Sequence, residues 1–157
     1  MISQEIIKHV NTPGLAVVFG SVNEQLQPNI GRAIAVKAEA DGKTVSFIAP
    51  RTFFEAHKSN LQNRGQISLN ATYPPTHKSL QFKGNCLEWT DASNEDKSYS
   101  ESSIRTFHGI LIQFFGEEAA NHFLKYNVKD LVHVKINVNE IYDQTPGPGA
   151  GKQIYPN

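Results

Sequence analysis

A second cysteine is absent. Cys86 stands alone among 157 residues, so no disulfide forms within the chain and a structural zinc site built from several thiolates is excluded. An excess of charge of either sign is absent too, because 15 basic side chains are matched by 15 acidic ones. Nothing therefore steers the whole molecule toward nucleic acid or an anionic membrane. Zero net charge also gives little protection against self-association, which is compatible with a dimer. No apolar run is long enough to span a bilayer. The start, Met1-Ile2-Ser3-Gln4-Glu5, lacks the basic flank and apolar stretch of a secretory signal, so a soluble cytoplasmic protein is expected.

Catalytic signatures are equally sparse. The six histidines, at 9, 57, 77, 108, 122 and 133, form neither an HExxH motif nor a pair four residues apart, and no metal site is expected. No GxSxG elbow presents a serine nucleophile. The run Thr145-Pro146-Gly147-Pro148-Gly149-Ala150-Gly151-Lys152-Gln153 superficially resembles a phosphate loop. Pro146 occupies the place of its first glycine, however, and Gln153 that of its Ser or Thr. The run reads instead as a structural or interface tail. Cys86 sits in an apolar strand pattern, which marks a buried thiol rather than a nucleophile.

The patterning that is present predicts one domain of six strands with helical additions. Ile2, Ile6, Ile7 and Val10 recur at helical spacing before the break Asn11-Thr12-Pro13-Gly14. Strands are expected over Leu15–Gly20, Ile30–Lys37, Thr44–Ala49, Gln66–Tyr73, Lys78–Trp89 and Leu131–Val138. In a regular second strand Arg32 and Lys37 face opposite sides. Asp41-Gly42 is a hairpin signal. A helix over Phe53–Gln62 is closed by Asn63-Arg64-Gly65. Ser93 and Asp96 form a capping box ahead of a helix whose Ile104, Phe107, Leu111 and Phe114 make a buried stripe. A further helix spans Glu117–Tyr126. The segment from Gln144 to Asn157 is Pro/Gly-rich and read as irregular. Short turns between the early strands imply antiparallel neighbours, hence a mainly β barrel or curled sheet.

The stretch from Pro74 to Gly84 is rich in polar and cationic side chains. Alternation there puts Ser79, Gln81 and Lys83 on one face and Leu80 and Phe82 on the other. Arg32, Lys37, Arg51, His57, Lys58, Lys78 and Lys83 are cations on or near strands. Such side chains either face water or converge on one anionic group, for which Arg and Lys are well suited. A nucleic-acid surface built on Lys78, Lys83 and Phe82 is disfavoured, because Phe82 points away from Lys83.

The order of these segments resembles the pyridoxamine 5'-phosphate oxidase-like family, the FMN-binding split β-barrels. The features are Arg32-Ala33-Ile34-Ala35-Val36-Lys37, then hairpin, strand and short helix, then Asn63-Arg64-Gly65, an alternating strand and a strand carrying Lys83-Gly84. The ending Tyr142-Asp143-Gln144-Thr145-Pro146-Gly147-Pro148-Gly149-Ala150-Gly151 is similar to tails in one branch of the family. The resemblance implies an α+β fold built on a six-stranded antiparallel split barrel, and a homodimer with two FMN sites at the subunit interface. By the same resemblance, Arg32 through Lys37 serve the flavin and its phosphate, with Ile48 and Ala49 at the end of the next strand. Arg51, His57 and Lys58 stand near the family's basic pair, and Ser79 or Gln81 reaches the flavin of the other subunit. The chain departs from the pattern at Ala49, where a hydroxyl is usual, and at Ala56 and His57. The substrate residues of true pyridoxamine 5'-phosphate oxidases are not recognisable. The implied function is an FMN-dependent oxidoreductase with a small-molecule substrate. The alternative is a non-catalytic binder of flavin or haem, and a deazaflavin is the other candidate cofactor. No catalytic side chain is assigned.

Overall fold

The computed structural model describes residues 1–123 and 128–156. Helix α1 (Gln4–Val10) is followed by strands β1 (Ala16–Val22), β2 (Pro28–Ala33), β3 (Ala35–Ala38) and β4 (Thr44–Pro50). Helix α2 (Arg51–Phe54), a 3-10 turn (Glu55–His57) and α3 (Lys58–Arg64) lead to β5 (Gln66–Tyr73) and β6 (Lys78–Asp91). A helical pair, α4 (Asn94–Phe115) and α5 (Glu117–Phe123), precedes β7 (Leu131–Asp143) and β8 (Lys152–Tyr155).

All strand pairs are antiparallel, in the order β2-β1-β5-β6-β7-β4-β3, with β8 added beside β7. The two ends of that path, β2 and β3, are separated by Ile34 alone. Its N–H donates to the Ile48 carbonyl at 2.8 Å. The sheet thus curls round and meets itself through one bent strand, the construction of a split β-barrel. Six strands were expected. The seven on the path arise because the second expected strand bends into two. The eighth lies in the tail that was read as irregular.

The interior is built from alternate residues of every strand. Phe19, Phe47, Phe54, Phe82, Leu69, Ile136 and Ile141 are all fully buried, and Phe19 stacks on Phe47 with ring centroids 4.7 Å apart. Ile2, Ile6 and Val10 of the α1 segment join the same core. A smaller cluster of Ile34, Ala35, Ile48, Ala92 and Leu131 lies apart from it, with Tyr99 and Ile104 of α4 packed against it.

Local signals explain most boundaries. Gly65 closes α3 at φ 69°, a left-handed conformation that suits glycine. Ser93 and Asp96 form the complete capping box at the start of α4. Other expectations need correction. The helix over Phe53–Gln62 is broken by the 3-10 turn. In α4, Ile110 and Leu111 are buried, but Phe114 is 53 % and Phe115 62 % exposed. A helical stripe marks a face but does not say how far the surface beneath it extends. Residues 124–126 of the expected Glu117–Tyr126 helix lie outside the described residues. Cys86 is half-buried, and burial pushes its thiol up to about 11, which keeps it protonated near neutrality.

Gly84 marks a shift of register between β6 and β7, and a Cβ there would collide with the Asn137 carbonyl oxygen. Gly84→Ala is expected to cost about 1–3 kcal/mol through overpacking against backbone that has little room to yield. A lower midpoint in urea unfolding checks this.

Candidate functional site

The bend at Ile34 determines where the strand-borne cations go. Val17 and Phe19 of β1 point inward and pair with Ala33 and Gly31, whereas Val18 points outward and pairs with Arg32. Past the bend, Val36 belongs to the barrel core, and Ala35 belongs to the outer cluster beneath α4. The extra residue shifts the alternation. Arg32 and Lys37, which a regular strand separates, therefore both stand on the outer surface.

They do not converge. Lys37 Nζ lies 3.3 Å from Asp96 Oδ1 in the first turn of α4. Asp96 is nearly buried (side chain 6 % exposed) and also meets His133 Nδ1 at 3.0 Å. The Ser93 backbone N–H and hydroxyl both donate to it, at 3.0 and 2.9 Å. Burial works against the charge on Asp96, but the hydrogen bonds from His133 and Ser93 outweigh it and hold the carboxyl well below its usual range. The Tyr99 hydroxyl donates to the Val36 carbonyl at 2.9 Å, further tying α4 to β3. Lys37 is thus a strut between barrel and helix.

Arg51 is held similarly. Its guanidinium donates to Asp130 at 2.7 Å and to Asp91, and these carboxylates, Asp130 first, hold its charge more firmly than usual. Lys58 Nζ pairs with Glu55 at 2.7 Å. Lys78 pairs with Glu5 at 2.9 Å, and Lys83 lies over the Tyr142 ring, 4.3 Å from its centroid.

His57 is not a surface residue. The 3-10 turn aims it into the core, where it is 1 % exposed and packs against Phe19 with ring centroids 4.5 Å apart. Its Nδ1 hydrogen-bonds with Ser21 Oγ at 2.8 Å, and Asn60 donates to the same hydroxyl at 3.0 Å. Its expected part in gripping an anion at the surface is corrected. Burial lowers its pKa, and burial does the same to His9, whose Nε2 meets the Ala71 carbonyl at 3.1 Å. Both pKa values are lower folded than unfolded, so unfolding takes up protons as the pH falls. Their stability contribution is complete above about pH 6.5 and is lost below it, toward the folded values, with a slope of up to about 1.4 kcal/mol per pH unit for each. The urea midpoint is expected to fall between pH 7.5 and pH 5, and His57→Gln to lessen that fall. An unchanged midpoint contradicts this assignment.

The remaining expected site residues are placed as follows. Ala33 and Val36 face the barrel core, as does Ala49. Ile34, Ala35 and Ile48 lie in the outer cluster beneath α4. All six are buried, so they could offer a ligand only backbone groups. Ser79 is buried and shares hydrogen bonds with Thr72 and Asn70 at 2.7 and 3.2 Å. Gln81 donates to Ser68 and accepts from Gln144, both at 3.1 Å. Through the pairings Arg32–Val18–Asn70–Gln81, Arg32 and Gln81 stand in one row of the outer face. Three strand spacings separate them, roughly 14 Å.

What the structure does assemble is an open cleft of about 640 Å³ lined by Arg32, Phe115, Glu118, Ala119 and His122, of which Phe115, Glu118 and His122 are exposed. Half-buried Arg32 comes from β2, and the opposite wall comes from the end of α4 and from α5. The volume is in the range of small-molecule sites. An aromatic ring, a guanidinium, a carboxylate and an imidazole together can receive a planar, polar-edged ring. Sequence reasoning found Arg32 but not the α5 wall, because nothing in Glu117–Phe123 distinguishes a cavity lining from an ordinary acidic first turn. Among the described residues no group of three or more His, Cys, Asp or Glu is placed to hold a metal ion. No described helix is long and apolar enough to cross a membrane.

Comparison with protein-family models and with curated proteins finds no match. Solved structures do match. HupZ of Group A Streptococcus superposes with a TM-score of 0.55 at 18 % identity, covering 96 % of this chain and 100 % of that one. A candidate pyridoxamine 5'-phosphate oxidase from Lactobacillus delbrueckii gives 0.53 at 16 % identity, covering 90 % and 93 %. An F420 reductase gives 0.50 at 9 % identity, covering 84 % and 92 %. At such identities the likeness is one of fold. The chain has the split β-barrel fold of the pyridoxamine 5'-phosphate oxidase-like proteins.

The sequence resemblance implied a flavin, and the residues present fit only part of one. The cavity beside Arg32 suits the ring. The phosphate does not fit as the resemblance implied, because Lys37, Arg51 and Lys58 are each paired with carboxylates of the same chain and His57 is buried.

Proposed function

We propose that this protein is a flavin-binding oxidoreductase acting on a small-molecule substrate, working as a cytoplasmic homodimer. The observation that carries the reading is the cavity under α5 with Arg32 in its wall. The fold shared with a candidate pyridoxamine 5'-phosphate oxidase and an F420 reductase supports a flavin of the FMN type, or a deazaflavin, as the occupant. When bound, such a group supplies hydride or electron transfer itself. The chain's own residues bind and orient the ring: Arg32 donates to its polar edge and Phe115 offers an aromatic face. Exposed Val18 and Ile30 beside Arg32 on the same sheet face favour a second subunit there.

A second reading, a non-catalytic binder of flavin or haem on the same barrel, is favoured by the loss of the phosphate-gripping cations. The cofactor released from native protein, together with oxidation of reduced nicotinamide or reduced deazaflavin by the holo-protein, separates the two. Turnover supports the oxidoreductase. A bound flavin without turnover supports the carrier. Colourless protein that takes up no added flavin overturns both flavin readings.

A further inference from the structure

Resting on the flavin reading above, we infer that this site recognises a flavin by its ring and not by its phosphate, and that it accepts flavins lacking a phosphate about as well as FMN. The ground is a balance of charge. A phosphate ester carries close to two negative charges at neutral pH and is held by converging cations. Lys37, Arg51 and Lys58, which the resemblance offers for that task, each stand beside at least one carboxylate of the same subunit. Lys37 has nearly buried Asp96 at 3.3 Å, and Lys58 has Glu55 at 2.7 Å. Arg51 has two, Asp130 and Asp91.

Arg32 shares its cavity with Glu118. Side-chain rearrangement at the surface can break the exposed pairs, since each is worth little. It leaves each carboxylate nearby, so a dianion at Lys37, Arg51 or Lys58 competes with a negative charge that the chain already places there. A flavin ring asks for something different: a donor for its carbonyl edge, an acceptor for its imide N–H and a flat apolar face. Arg32, Glu118 and Phe115 provide these three. In this arrangement Arg32 holds the ring, and Glu118 both accepts from the ring's N–H and disfavours a phosphate nearby.

The test is titration of the purified full-length chain with FMN and with riboflavin, read by quenching of flavin fluorescence. The two Kd values are expected to lie within about threefold of each other, and Arg32→Ala is expected to weaken both by the same factor. Glu118→Gln, which removes a negative charge from the cavity wall, is expected to raise the preference for FMN severalfold. A wild-type preference for FMN of about tenfold or more, the size of one charge-assisted contact, overturns the inference and leaves the flavin reading standing. An effect of Arg32→Ala confined to FMN, or a preference unmoved by Glu118→Gln, overturns it as well. Failure of both flavins to bind removes the flavin reading and this inference with it.

Discussion

Asp96→Ala is expected to destabilise the fold by about 3 kcal/mol, the largest loss anticipated from any single side chain away from the barrel core. Three interactions end with it. The capping box at the start of α4 loses its return bond to Ser93, a device worth about 1 kcal/mol. His133 loses a partner at 3.0 Å. Lys37 is left beside the helix without its counter-charge. Breaking a buried pair costs about 3–5 kcal/mol, and the lower end applies because Lys37 is 31 % exposed and can be partly rehydrated. Asp96→Asn keeps an acceptor for Ser93 and is expected to cost less than Asp96→Ala. The folded carboxyl titrates below its unfolded value, so its stabilisation is complete above about pH 4 and is lost only as the pH falls below that. Urea unfolding at pH 7 measures the effect. A loss under about 0.5 kcal/mol would mean that α4 docks without this junction.

Arg32→Ala is expected to weaken flavin binding about 10- to 150-fold. Arg32 stands on the outer face of β2, away from the barrel core. A hydrogen bond to a charged group contributes about 1.5–3 kcal/mol, which converts to that range of affinity. Arg32→Lys is expected to recover only part of it, because an ammonium lacks the planar fork that meets a ring edge with two donors. Comparing Lys37→Ala makes the assignment specific. That change is expected to lower stability and leave flavin affinity within about threefold, because Lys37 serves the α4 junction rather than the cavity. Equal effects of the two substitutions on binding would return Lys37 to the site.

The contrast between Arg32 and Lys37 also shows what the chain's pattern can and cannot reveal. Local rules made Gly65, the Ser93–Asp96 box and the alternation in β5 and β6 legible, because each depends on residues a few positions apart. The bend at Ile34 has no such mark. Arg32-Ala33-Ile34-Ala35-Val36-Lys37 reads as one strand, and the change of parity within it arises from the sheet closing on itself. The partners of the cations were hidden for a related reason. Lys37 and Asp96 are 59 positions apart and Arg51 and Asp130 are 79, so only the folded chain brings them together. His57 did carry a usable signal. It lies three residues after Phe54 and four before Leu61, both core residues, and helical spacing puts it on their buried face. In the tail, Lys152–Tyr155 forms β8 behind a run of glycine and proline that conceals a strand of four residues.

A structure of the protein with bound flavin tests the central claim most directly. The account predicts the ring in the cavity between β2 and α5, its polar edge about 3 Å from the Arg32 guanidinium, and Lys37 still paired with Asp96. A ring bound elsewhere, or one whose phosphate is gripped by Lys37, Arg51 or Lys58 after they leave their carboxylates, would contradict it.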